Sequence, residues 1–288
     1  MPLAGELLDD AERRLKRSPY IEHPHAGKER FDAEELLEFV LGELPYEDDE
    51  VSAAQARRFH RLLDRRVSGV PGAYLTGRTE FKGMMLYVTR GAFIPRESSE
   101  DLADGAIQRL RGRRDPVHLD AATGVGPVAL AVARSVRKAS VYGVDISAKP
   151  VELARKSAKA LGLRNATFLR GDLFAPLPKG LLGRVDVITV HPPYVPKSEL
   201  RDLPHEIRAH EPKESLTDFS EAGTGLLTRV ATEGHGWLAE GGWLLVEVSP
   251  DRAREVGTVL RRQGYSDVRS TKGEIAVSRI VVGRHRGT

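Results

Sequence analysis

Apolar residues in the first seventy positions recur at helical spacing. In "FDAEELLEFVLG", residues 31–42, Leu36, Leu37, Val40 and Leu41 share one face. Asp32 and Glu35 there read as a capping box, with Phe31 and Leu36 as its hydrophobic staple. In "SAAQARRFHRLLDRRVSG", residues 52–69, Ala56, Phe59, Leu63 and Val67 form the stripe, Ser52 and Gln55 the box, and Gly69 the stop. The period then breaks. "AYLTGRTEFKGMMLYVTRGAFIP", residues 73–95, is rich in Gly, Thr and aromatics and reads as a β-hairpin. From about residue 115 short apolar runs alternate with amphipathic ones. "PVHLDA", "VYGVD", "ATFLRGD", "VDVITV" and "GGWLLVEVS" read as strands; "PVALAVARSV", opened by Pro127, "SAKPVELARKSAKALG" and a segment near 222–239 read as helices. A last helix and two strands close the chain. Such alternation predicts an α/β fold with a mainly parallel sheet covered on both faces. The expected organisation is a helical domain over 1–72, a hairpin linker over 73–98 and an α/β domain over 99–288.

Composition changes this picture little. No cysteine is present among 288 residues, which removes disulfides and thiolate metal sites, and the histidines show no metal-ligand spacing, so no metal is expected. No apolar run is long enough to span a bilayer and nothing resembles a signal peptide, so the default location is cytoplasmic. Charge is uneven. Residues 1–50 carry 15 Asp/Glu against 6 Lys/Arg, a net of −9, and the rest of the chain carries +12. Arg57, Arg58, Arg61, Arg65 and Arg66, like Arg109, Arg111, Arg113 and Arg114, read first as solvated helix faces. His23, His25, His60 and His118 read as surface or capping residues, and Trp237 and Trp243 as core.

Candidate chemistry gathers at the ends of the strands. "LDAATGVG" joins the first strand of the α/β domain to a helix, and Ala122, Thr123, Gly124, Val125 and Gly126 form a tight turn that a ligand can approach closely. The loop lacks both a Gly-Lys-Ser/Thr and a regular Gly-x-Gly-x-x-Gly, which favours a nucleoside without phosphate over a nucleotide. The next strand ends in Asp145, suited to both ribose hydroxyls, and the third in Asp172 beside Leu173, where an adenine edge could be read. As a set these strand ends point to an S-adenosylmethionine site. The fourth strand ends in His191-Pro192-Pro193-Tyr194. The prolines have no N–H to give, so this turn offers carbonyl acceptors beside a flat aromatic wall. A planar nitrogen substrate suits it.

With these motifs in view, the chain resembles the protein-(glutamine-N5) methyltransferases that modify peptide-chain release factors. "GAYLTGRTEFKGMMLYV", "FIPRE", "LDAATGVG", "YGVDIS", "GDLF", "HEP" and "EAGTGLL" occur in that family's order, over roughly residues 30 to 284. The resemblance implies a Rossmann-like class I S-adenosylmethionine-dependent methyltransferase with a small N-terminal helical domain that selects the acceptor. It implies that Ala122 to Gly126 wrap the methionine moiety, Asp145 the ribose and Leu173 the adenine. His191 to Tyr194 would hold the substrate amide of a Gly-Gly-Gln loop, with Glu211 helping to shape the pocket and Arg96 meeting either the substrate or the cofactor carboxylate. The chain departs from the family at Ala122 (a glycine there), at Glu97 and Ser98 in "IPRESSE", and at His191, where the family has Asn.

The histidine leaves three readings open. Neutral imidazole offers one acceptor nitrogen and imidazolium none; with an ordinary pKa of about 6.5 the ring is mostly neutral at cytoplasmic pH. His191 could still accept one amide N–H, preserving glutamine methylation. It could act as a general base toward a small molecule that loses a proton. Or the site could bind cofactor without turnover. DNA is a poor fit, since the chain has no candidate for a duplex-gripping domain. His205 and His210 are further candidates for the substrate entrance.

Overall fold

The computed structural model describes residues 1–22, 27–272 and 277–287, so His23 and His25 lie outside the described residues. It contains two compact units, Met1–Arg78 with Arg201–Glu211, and Thr79–Leu200 with Pro212–Thr288.

The first unit is helical: α1 (Ala4–Lys16), α2 (Lys28–Leu41), α3 (Ala53–Val67), α4 (Gly72–Thr76) and α8 (His205–His210). Leu8, Leu15, Leu36, Leu37, Phe59 and Leu63 are fully enclosed between the long helices. The Ser52 box forms as expected: Ser52 Oγ accepts from Gln55 N at 3.3 Å, and Ser52 N donates to Gln55 Oε1 at 3.1 Å. The box expected at Asp32 does not. Helix α2 starts at Lys28 after Gly27, which places Asp32 in its second turn and leaves Phe31 59% exposed while Leu36 is buried, so there is no staple either. Asp32 is needed elsewhere. It accepts from Lys28 at 2.7 Å and from Arg66 at 2.7 Å, and Arg66 also meets Glu206 at 2.5 Å. Arg66 is therefore a buried ion-pair hub, not part of a solvated face; a buried cation needs such partners. Arg57, Arg58, Arg61 and Arg65 are exposed as expected.

The second unit opens with a hairpin confined to β1 (Arg78–Phe81) and β2 (Met84–Tyr87). Lys82 (φ +50°) and Gly83 (φ +66°) supply the two positive φ angles that suit a two-residue turn to twisted strands. Helix α5 (Ser99–Leu110), which the sequence reading passed over, then leads into β3 (Val117–Ala121). There follow α6 (Pro127–Ser135), β4 (Ser140–Asp145), α7 (Ala148–Ala160), β5 (Ala166–Arg170), β6 (Val185–Val190), α9 (Gly225–Gly234), β7 (Leu238–Val248), α10 (Ala253–Arg262), β8 (Ser266–Lys272) and β9 (Arg279–Arg284). The sheet order is β5-β4-β3-β6-β7-β9-β8, with β9 antiparallel to both its neighbours. One face packs on α5, α6 and α7, the other on α9 and α10. Strand order reverses between β3 and β6, the crevice where open α/β sheets bind ligands.

Candidate active site

A cavity of about 340 Å³ lies at the carboxyl ends of β3, β4 and β6, wholly within the second unit. Strand β3 delivers Asp120 and then the turn from Ala122 to Gly126. Ala122 has φ +52° and Gly124 φ +57°. The left-handed conformation at 122 accounts for the family's glycine; here alanine takes it at some steric cost. A Cβ on Gly124 would meet nothing within 4 Å, so its wall opens on the cavity. Gly126 is different. It is not on the cavity wall, and a Cβ there would come within 2.7 Å of the Phe168 ring. It allows the helix–strand approach rather than contact with a ligand.

Asp145 closes the turn from the next strand. Its Oδ2 accepts from Gly124 N at 2.9 Å and its Oδ1 from Ser147 N at 2.8 Å. Burial raises its pKa, against the pull of those two N–H groups. Each oxygen keeps a further lone pair for a ribose hydroxyl. Asp172 and Leu173 line the far side. Leu173 is buried with φ +45°, and the carboxylate of Asp172 accepts from Arg229 at 2.9 and 3.1 Å.

The proline turn sits across from this. His191 and Pro193 line the cavity, whereas Pro192 is buried behind them. Tyr194 stacks on His191 with centroids 5.8 Å apart and planes 20° apart, and Phe93 meets the same ring edge-on at 5.8 Å. Arg96 lies over the Phe93 ring at 4.5 Å and on the cavity wall. Burial, followed by the nearby Glu247 charge, raises the Tyr194 pKa, so the phenol stays neutral. Glu211 belongs to the first unit, buried just past α8. His205 and His210 are in that unit as well.

Sequence reasoning missed four contributors. Phe93 and Ser99 line the cavity ahead of β3. Asp120 is buried on the cavity wall, accepting from Thr123 Oγ1 at 2.5 Å and from Thr189 Oγ1 at 2.6 Å. Burial pushes its pKa up to about 6, despite those two hydroxyls. Thr189 in turn accepts from His118 Nε2 at 2.9 Å. His118 is thus fully buried rather than a surface residue, and burial drives its pKa down to about 3. Glu247, 1% exposed, stands behind His191. A charged residue inside an apolar strand run was the available signal for Asp120 and Glu247 alike.

This donor set fits S-adenosylmethionine. Paired acceptors at Asp145 suit a ribose, an apolar wall at Leu173 suits a purine, and the turn at Gly124 lets main chain close on a ligand. No group of three His, Cys, Asp or Glu suited to a metal occurs among the described residues.

Known proteins agree. A methyltransferase domain model matches residues 119–210, and a PrmC N-terminal domain model matches residues 6–77. A release factor glutamine methyltransferase of Bordetella pertussis is 34% identical over 89% of this chain and 95% of its own length. One from Xylella fastidiosa is 33% identical over the whole of both chains. Among solved structures, a methyltransferase from Pyrococcus furiosus covers 72% of this chain and 91% of its own at a TM-score of 0.52 and 15% identity, which establishes the shared fold. Carrying a Rossmann-like class I methyltransferase fold and a third of its residues in common with such relatives along nearly its full length, the chain belongs to the release factor glutamine methyltransferase family.

Proposed function

We propose that this S-adenosylmethionine-dependent methyltransferase N-methylates the side-chain amide of a glutamine in a peptide-chain release factor. The observation that carries the reading is that His191 and Pro193 line one cavity with Gly124 and Asp145, the His191 ring being held between Tyr194 and Phe93. The names of the relatives supply the acceptor.

An amide nitrogen is a weak nucleophile because its lone pair is delocalised into the carbonyl. Holding both N–H bonds in acceptors fixes that nitrogen in line for attack, and positioning of this kind is worth several orders of magnitude. The ring nitrogen of His191 and the carbonyl of Pro192 are the acceptors, and Tyr194 is the wall for the amide plane. Bound S-adenosylmethionine supplies a methyl group on a good leaving sulfur. Asp145 holds the ribose hydroxyls, the turn from Ala122 to Val125 follows the methionine moiety, and Leu173 covers the adenine. The amide nitrogen takes the methyl group, leaving the cofactor as a neutral thioether, and, made acidic by methylation, loses one proton to water. The first unit, with its small helical core, selects the protein acceptor.

The test is incubation with a release factor, the labelled cofactor and the intact chain, followed by peptide mapping. Label on the glutamine of a Gly-Gly-Gln loop is expected. An unlabelled release factor together with turnover of a small molecule would instead favour His191 as a base.

A further inference from the structure

The replacement of Asn by His at 191 poses a chemical problem. A carboxamide oxygen always accepts, whereas a neutral imidazole accepts only at whichever nitrogen lacks the proton. Strand β7 alternates sides, so Leu245 and Glu247 face α5 while Leu244, Val246 and Val248 face the opposite core. This brings a buried carboxylate beneath the His191 ring. Glu247 Oε1 accepts from Ser98 Oγ at 2.8 Å. Glu247 Oε2 is buried with no hydrogen-bond partner among the described residues, and His191 Nδ1 stands 3.5 Å from it. Ser99 Oγ is 3.3 Å from the same nitrogen.

We propose that Glu247, held by Ser98, is a positioning residue that fixes the proton of His191 on Nδ1 and so leaves Nε2 as the acceptor for the substrate amide N–H. The proposal rests on the glutamine-methylation reading. Its physical basis is the bare carboxylate oxygen. With the proton on Nδ1, an N–H faces Oε2, and a small rotation of the ring closes a charge-assisted bond that a buried carboxylate strongly demands. With the proton on Nε2, the Nδ1 lone pair would face the carboxylate and leave Oε2 unsatisfied. Tyr194 and Phe93 confine the ring, so the tautomer sets which edge meets the substrate. The pair reproduces with an imidazole the acceptor that the family's asparagine supplies. Ser98, which replaces a family glutamate, donates to Glu247 where a second carboxylate would repel it.

The test is a long-range proton–nitrogen correlation spectrum of histidine-labelled protein bound to S-adenosylhomocysteine, for the native chain and for Glu247→Gln. The native His191 should show Nδ1 protonated and Nε2 bare. In Glu247→Gln, Ser98 keeps the amide oxygen and the amide N–H group turns toward Nδ1, so the proton should move to Nε2. kcat/KM for the glutamine acceptor should then fall about tenfold, the scale of one lost hydrogen bond to substrate, with S-adenosylhomocysteine affinity within about twofold of native. An Nε2-protonated native ring overturns the proposal, and so does a variant that keeps both the native tautomer and the native kcat/KM. If the variant does not fold, the native spectrum still decides. The spectrum is read without an acceptor, so the tautomer can fail while glutamine methylation stands, and the reverse.

Discussion

Two histidines in the second unit show how burial and partners divide one residue type into different roles. His191, on the cavity wall, is the proposed substrate-side acceptor, and its asparagine variant tests that role. His191→Asn should keep methylation of the release-factor glutamine, with kcat/KM within about tenfold of native in a labelled-cofactor assay, because an amide oxygen also accepts an N–H. Loss of all turnover would mark His191 as a base instead. His118 is structural. Its folded-state pKa of about 3 lies below the ordinary histidine value, so below about pH 6.5 the unfolded chain takes up a proton that the folded chain refuses. Stability therefore falls as pH falls. Asp120, raised to about 6, acts in the opposite sense over part of that range, so the comparison must be with a variant. His118→Gln keeps a donor for Thr189. The native stability minus that of the variant, from denaturant unfolding, should drop by about 1.4 kcal/mol per pH unit between about pH 6 and pH 4. A difference independent of pH would contradict the burial argument.

The strand–turn–helix from β3 to α6 carries two glycines for unlike reasons, and they separate in experiment. Gly126→Ala would push a Cβ against Phe168 and Ala154 at a φ of +82°. A loss of about 1–3 kcal/mol in unfolding free energy is expected from overpacking alone, with cofactor affinity little changed in the folded fraction. Gly124→Ala meets no protein atom, so stability should fall only by the strain of a positive φ, about 1–2 kcal/mol, while cofactor affinity weakens about tenfold or more in calorimetry. The reverse ranking would refute the assignment of Gly124 to the ligand wall. Elements of this kind were legible because strand alternation, Pro127 at a helix start and the Ser52–Gln55 box are local signals. The failures were tertiary. Nothing near Asp32 announced that Arg66, more than thirty residues on, would require its carboxylate in a buried ion pair. Helix α5 was passed over because its small residues at Ala103, Gly105 and Ala106 blur an apolar stripe, and with it went Ser99, which touches His191.

Over the whole molecule, the cavity assembles from strand ends far apart in sequence. Asp145, Asp172 and His191 were each visible at the end of a strand, and parallel pairing of β4 with β3 and β5 and of β3 with β6 brings them together. What the sequence could not show is depth, meaning which polar groups lie behind that wall. Glu247 and the His118–Thr189–Asp120 chain are the instances, since burial and pairing across strands exist only in the folded sheet. No helix among the described residues is long and apolar enough to cross a membrane. The central claim is that the tips of β3 and β4 bind S-adenosylmethionine. Isothermal titration of the intact chain with that cofactor tests it most directly. One site per chain is expected, and Asp145→Ala should bind at least about tenfold more weakly, through lost hydrogen bonds to a charged acceptor. Absence of binding heat in the native protein, or equal affinity in the variant, would contradict it.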